Sequence, residues 1–346
     1  LQREAYESLR TDVLSIGLAV GSDANAAVID TYVGDDMLVV PMSWYSGWPF
    51  ASVDAGVALE QYTNYCLEAM NAIDFVEAQG GATVAIVTNA GLFGEDAAAG
   101  ARAAIGGYGL TLAYDGGGTL ELGGDLGPAI AGVVDSDADW TFLATSPAVT
   151  PQIVAGAAQA GYGGSFIGAA PSYDARILDA ASAELLAGRF FQSAYAVAWG
   201  DPSPGNEAMM NAMIAAFPDR RPSDAFIVGW NAGITMRSVL SEAIRGADLS
   251  RPNLVAIANT LETVSFDGSA PDQRYVGQPD EFVTRATAIY RPDLDVYLSA
   301  GGADQALSDP GATTGSVLVR DFTVGRFTET RGFTAPCVPI GAQAGG

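Results

Sequence analysis

The chain has 346 residues, 49% of them hydrophobic and 16% charged, with 40 Asp and Glu against 16 basic residues and a formal net charge of −24. That length suits one large or two ordinary domains with an ample core. The acidic excess sets aside nucleic acid and anionic membrane surfaces as partners, since both would be repelled. Every basic residue is Arg. Without Lys or His the chain holds no Ser-His-Asp or Cys-His arrangement, no Schiff-base or Walker lysine and no His-ligated metal.

In chain order, a helical opening over 2–11 leads to the strand VLSIGLAV (13–20), the loop GSDAN and a helix over 24–34. The strand MLVVPMS (37–43) runs into an aromatic loop, WYSGWPF, and a long helix over 55–79. Next come a strand over 83–88, a helix over 94–107, the strand LTLAYDG (110–116), a Gly-rich loop and a helix over 124–134. WTFLAT (140–145), a helix over 148–161 and SFIGAA (165–170) continue the rhythm. A helix over 223–246 follows two turn-rich stretches, GDPSPGN and FPDRRPSD. Beyond residue 285 the pattern turns to β, with TRATAIY and SVLVRDF, and residues 329–346 read as an extended tail. Short apolar strands alternating with helices predict an α/β fold with parallel sheets covered on both faces. Ligands of such sheets sit beyond the carboxyl ends of the strands.

The stretch VTNAGLFGED (87–96) has a strand, a glycine loop and a helix start, the grammar of a phosphate cradle. Its GxxG is neither GxGxxG nor a Walker loop, and a plain strand-to-helix turn accounts for it equally. DSDADW (135–140) spaces three aspartates like a calcium loop but puts Trp140 where Gly is required, and so reads as a solvated connection. GGSFIG (163–168) is not GxSxG, and no histidine could serve Ser165. SWYSGWPF (43–50) carries four aromatics, either buried structural rings or a stacking platform for a small ligand. Cys66 and Cys337 form no CxxC motif and read as buried thiols in a reducing compartment or as a pair in an oxidising one.

Taken in order, these pieces resemble the type I periplasmic solute-binding proteins, the branched-chain amino-acid-binding (Leu/Ile/Val-binding) family of ABC importers, over residues 1–325. The carriers are DVLSIGLAVGSDANAAV, VVPMSWYSG, VAIVTNAGLFGEDAAAG and DADWTFLATSPAVTPQIVAGAAQAGYGGSFIG. The resemblance implies two doubly wound α/β lobes with a ligand cleft between them. Lobe I would comprise 1–80 and 223–285, lobe II 81–222 and 286–328, with 329–346 as a C-terminal tail. The family's opening strand–helix–strand unit is not found, and the chain is expected to be a trimmed piece that also lacks any signal segment.

Carried over position by position, the family's ligand loops fall on Gly21 and Ser22, on Ser43, Trp44 and Tyr45, on Phe93 of the glycine loop, and on Ser146 and Pro147. Tyr173, Tyr195 and Trp230 are further aromatic candidates, together with Trp48 and Trp199. Amino-acid binders place an acid after FIG to hold the ammonium, but here that position is Ala170, with Asp174 or Asn89 as substitutes. The expected ligand is therefore a small apolar or aromatic acid, an amide or an amino-acid-like molecule, but not a simple aliphatic α-amino acid. The resemblance further implies an extracytoplasmic protein, periplasmic or a cell-surface lipoprotein. It would be a monomer serving a membrane permease, with no catalysis, cofactor, metal or membrane insertion of this segment. A sensor domain of the same fold that regulates a partner is the alternative. In an exported protein with only two cysteines, a Cys66–Cys337 disulfide pinning the tail is also expected.

Overall fold

The protein is described by a computed structural model covering residues 2–340. Short runs of apolar and β-branched residues make the strands β1 (Ile16–Val20), β2 (Val39–Met42), β3 (Thr83–Asn89), β4 (Thr111–Leu120) and β5 (Trp140–Ala144). They continue with β6 (Ser165–Gly168), β7 (Phe190–Ala194), β8 (Thr287–Pro292) and β9 (Ser316–Thr323). β1 and β2 pair in parallel as one small sheet, and the other strands form a second sheet in the order β4-β3-β5-β6-β7-β8-β9. Within it β4 to β7 are parallel, while β8 and β9 return antiparallel. Both faces of the middle of the large sheet are covered, which is why β3, β5 and β6 read as apolar runs while the edge strands β4 and β9 stay partly exposed. On β3, Val84 and Ile86 join the core shared with helix Tyr65–Ala78, while Ala85 and Val87 pack on the other side with Val133 and Ile153.

The structure divides the helix expected over 55–79. A short turn of helix, Ala51–Asp54, is followed by an extended segment, and the long helix begins only at Tyr65. Gly56 and Tyr62 take φ values of 79° and 64°, which no helix tolerates, and Ala58 bridges in parallel to Val39. Asn64 then starts the helix, its side chain accepting from Leu67 N. The Gly-rich loop after 116 is part of β4, which bends through Gly118 at φ 75°. β7 escaped sequence reading because it follows helix Ala183–Arg189 with no glycine or proline between them. Helices Pro204–Ala216 and Arg251–Ala258 were likewise not anticipated.

The 329–346 tail is anchored as far as residue 340, and the rest lies outside the described residues. Cys337 is disulfide-bonded to Cys66 with a Cα–Cα distance of 6.4 Å. Cys337 N donates to Ser46 Oγ at 2.8 Å, and Asp96 in turn accepts from Ser46 N at 2.9 Å. Among the described residues no helix is long and apolar enough to cross a membrane.

Candidate functional site

Two loops face each other at the carboxyl ends of β1 and β3. The helix Leu92–Tyr108 begins after Gly91, and its Leu92 N–H donates to Asp23 Oδ1 at 3.0 Å. A Cβ on Gly91 would meet Asp23 Oδ2 at 2.4 Å, and one on Gly94 would meet the Asn89 carbonyl at 1.8 Å. Both glycines are thus required for close approach. The helix start, the natural seat of an anion, already holds the protein's own carboxylate. It is no pyrophosphate cradle.

A cavity of about 300 Å³ opens where the ends of β2, β6 and β7 and the loop after β5 meet the first turn of helix Ala225–Arg245. Its walls are mostly apolar: Met42, Trp44, Pro147, Ala170, Pro171, Tyr173, Ala194, Tyr195, Ala196, Ile227 and Val228. Asp174, Gln192 and Asp224 are polar, and no cationic side chain is among the lining residues. The Trp44 and Tyr195 ring centroids lie 4.5 Å apart, and Tyr62 stacks on Tyr195 at 5.7 Å with 7° between the planes.

The polar groups fall into two kinds. Asp224 is saturated, accepting from Trp199 N, Thr314 Oγ1 and Ser316 Oγ, each at 2.7 Å. Asp174 is spent on Arg176, whose Nε lies 2.6 Å away. By contrast Trp44 Nε1, Tyr195 OH, Ser193 Oγ and Glu68 Oε2 are buried with no hydrogen-bond partner. Of these residues Trp44 and Tyr195 line the cavity, while Ser193 and Tyr195 lie beside the Glu68 carboxyl; an unmade hydrogen bond of this kind costs about 1–3 kcal/mol. Glu68 is fully buried on helix Tyr65–Ala78, and its Oε1 accepts from Ala170 N at 2.6 Å. A carboxyl thus does stand beside position 170, but it comes from another element, a hundred residues earlier, and it holds the Ala170 backbone. The only sequence signal was a glutamate set among the apolar neighbours of CLEAM (66–70).

The matching family model, described as periplasmic binding protein, covers residues 3–302. This chain belongs to the periplasmic binding protein family. Its fold is that of type I binding proteins. A fatty acid ABC transporter substrate-binding protein from Thermomonospora curvata is similar at TM-score 0.83 and 19% identity, covering 97% of this chain and 81% of that one. A branched chain amino acid ABC transporter from Thermus thermophilus with bound valine gives a TM-score of 0.69 at 13% identity, covering 94% and 83%. An ABC transporter solute binding protein from R. palustris in complex with benzoate gives 0.67 at 16%, covering 94% and 84%. No curated protein matches the chain by sequence.

In this binding protein Trp44, Pro147, Ala170, Tyr173 and Tyr195 surround the cavity. The other expected residues lie elsewhere. The Ser22 and Ser43 hydroxyls bond each other at 2.8 Å, and Trp48 Nε1 donates to Ser43 Oγ at 3.0 Å. Gly21 donates its N–H to the Met42 carbonyl. Tyr45 is fully buried away from the cavity, its hydroxyl donating to the Val338 carbonyl of the tail. Phe93 packs on Tyr65 at 4.7 Å, one ring behind Trp44. Ser146 starts helix Thr150–Gln159 by accepting from Thr150 N, and Trp230 packs against the main core. Asn89 keeps a buried, unpartnered Oδ1 near the glycine loop. Asp139, from the calcium-like spacing, accepts from Ala82 N and Thr83 N and clamps the start of β3.

Burial pushes four carboxyls of this binding protein far up: Asp54 and Asp96 to about 7, Glu60 and Glu68 to about 8. In the unfolded chain they return to ordinary values near 4. The folded state therefore holds more protons, and stability is lost as pH rises through the folded values. The unfolding midpoint is expected to be highest near pH 5 and to fall towards pH 8. Glu68→Gln should flatten that decline. A midpoint that rises over this window, followed by circular dichroism, would contradict the burial of these groups.

Proposed function

We propose that this chain is the extracytoplasmic solute-binding component of an ABC importer, handing a small, largely apolar ligand to a membrane permease as a monomer and not as an enzyme. It would close lobe I (1–80 and 223–285) on lobe II (81–222 and 286–328) around the ligand, a familiar motion of this architecture. The observation that carries the reading is the apolar cavity whose wall holds Trp44 and Tyr195, with Trp44 Nε1 and Tyr195 OH buried and without a hydrogen-bond partner. An ionised carboxylate would find no cationic side chain among the lining residues. A primary amide end fits better, because it is neutral and brings an oxygen for Trp44 Nε1 and N–H groups for the Tyr195 hydroxyl. The similar solved proteins named for fatty acid, valine and benzoate make apolar bodies of this size a reasonable class to test.

Thermal-shift and calorimetric titration with a panel of small apolar acids, amides and amino acids, benzoate, benzamide and valine among them, tests the reading. Saturable stabilisation is expected, since a ligand at a hundred times its Kd adds about 2.7 kcal/mol to folding stability. Benzamide should stabilise more than benzoate. Trp44→Ala should weaken the best ligand by about 1–3 kcal/mol, roughly tenfold to a hundredfold, by removing one buried apolar wall. Equal affinity in wild type and Trp44→Ala, with the fold intact, would show that the ligand sits elsewhere.

A further inference from the structure

A second cavity, of about 280 Å³, shares no lining residue with the first. It lies between the extended segment before helix Tyr65–Ala78, helix Arg251–Ala258 and the loop around residues 275–282. Phe50, Phe282 and Tyr275 supply aromatic walls, and Asn259 and Gln278 supply amides. Glu60 also lines it, although the residue is only 8% exposed.

Glu60 differs from the other carboxyl in this wall. Asp54 is satisfied by Gly56 N at 2.9 Å and Ala58 N at 2.8 Å, and so shapes the turn. Glu60 Oε1 is buried with no hydrogen-bond partner. Its backbone is nevertheless held, since Tyr275 OH donates to the Glu60 carbonyl at 2.8 Å. One oxygen of a buried carboxyl, on a backbone held in place, is thus left unspent beside a hole. A buried carboxylate without a partner is costly, and the cost is recovered only by a cation or a proton. None of the cavity's lining residues is cationic. Aromatic faces around a carboxylate suit the same guest, because a ring's negative face attracts an ammonium group.

We propose that this cavity is a second binding site, independent of the cleft, for a compact organic cation whose ammonium group pairs with Glu60 while its alkyl portion lies against Phe50 and Phe282. The bound cation would bridge the loop at 275–282 to the segment at 48–60 and stiffen that seam of lobe I.

The probe is n-butylammonium chloride, titrated calorimetrically into the full chain at a pH above 8, where Glu60 is ionised. Saturable binding is expected in wild type, unchanged in Trp44→Ala. In Glu60→Gln it should weaken on the order of tenfold or more, the scale of one charge-assisted hydrogen bond. Phe282→Ala should weaken it too, which covers the case of a Glu60→Gln protein that fails to fold. Absence of saturation, an equal response to sodium chloride, or equal affinity in Glu60→Gln would overturn the proposal. Loss in Trp44→Ala with retention in Glu60→Gln would assign the amine to the cleft instead. Because the cleft reading is tested with Trp44→Ala and its own ligand panel, the two can fail separately.

Discussion

Breaking the Cys66–Cys337 bond, by reduction or by Cys337→Ser, is expected to lower the unfolding free energy by up to about 5 kcal/mol, the chain-entropy value for so long a closed loop. The bond joins residues 271 apart, so in the unfolded chain it forbids a very large set of conformations. Its local consequences add to this. Cys66 stands in the first turn of helix Tyr65–Ala78, which is buried as far as Val76, and the tail it retains inserts Phe333, 2% exposed, against Phe50 at 5.2 Å. Ser46 links Cys337 N to the buried Asp96, so releasing the tail also strips a partner from that pair. Urea unfolding of oxidised and reduced protein measures the effect. Superimposable transitions, or two titratable thiols in the unreduced protein, would refute it.

Asp74→Ala should cost about 3–5 kcal/mol, the penalty for removing one partner of a mostly buried ion pair. Asp74 Oδ2 lies 3.0 Å from Arg320 Nη1, and its Oδ1 accepts from Arg326 N at 3.1 Å and from the Tyr108 hydroxyl. Arg320 also sits over the Phe75 ring at 5.4 Å and donates to the Asn71 carbonyl at 3.0 Å. One carboxylate therefore fastens the end of β9 and the segment after it to helix Tyr65–Ala78. Without it the Arg320 guanidinium stays buried and uncompensated. Arg320→Ala should cost a similar amount, and the double variant much less than the sum, because both remove the same interaction. Additive losses in denaturant melts would mean that the two side chains act independently.

The fold class was legible locally, but the strand order was not. Runs such as VAIV (84–87) and FLA (142–144) are short and apolar on both faces, which reads as a parallel strand covered on each side. The long helix was misplaced because its alanine-rich, apolar lead-in looks helical, while the bridge from Ala58 to Val39 that holds it extended is a tertiary contact. Among the candidate residues, Trp44, Pro147, Ala170 and Tyr173 could be reached from loop positions after strands, whereas Tyr195 stood out only as an aromatic. Ser22 and Ser43 stood in equally promising loops, yet they satisfy each other.

By itself the sequence determined the classes of chemistry that are impossible without Lys or His, the alternation that dictates a parallel α/β fold, and the two cysteines available to pair. Those follow from residue identity and from periodicities of two and 3.6, which act within a few residues. Only the tertiary structure decided which polar atoms are spent and which are left for a ligand. Asp23 caps a helix 69 residues away, and Glu68 meets Ala170 across 102 residues, while Glu60 Oε1 is left with no partner. A hydrogen bond is made only when packing brings donor and acceptor within about 3 Å, and that proximity is written in no single stretch of chain.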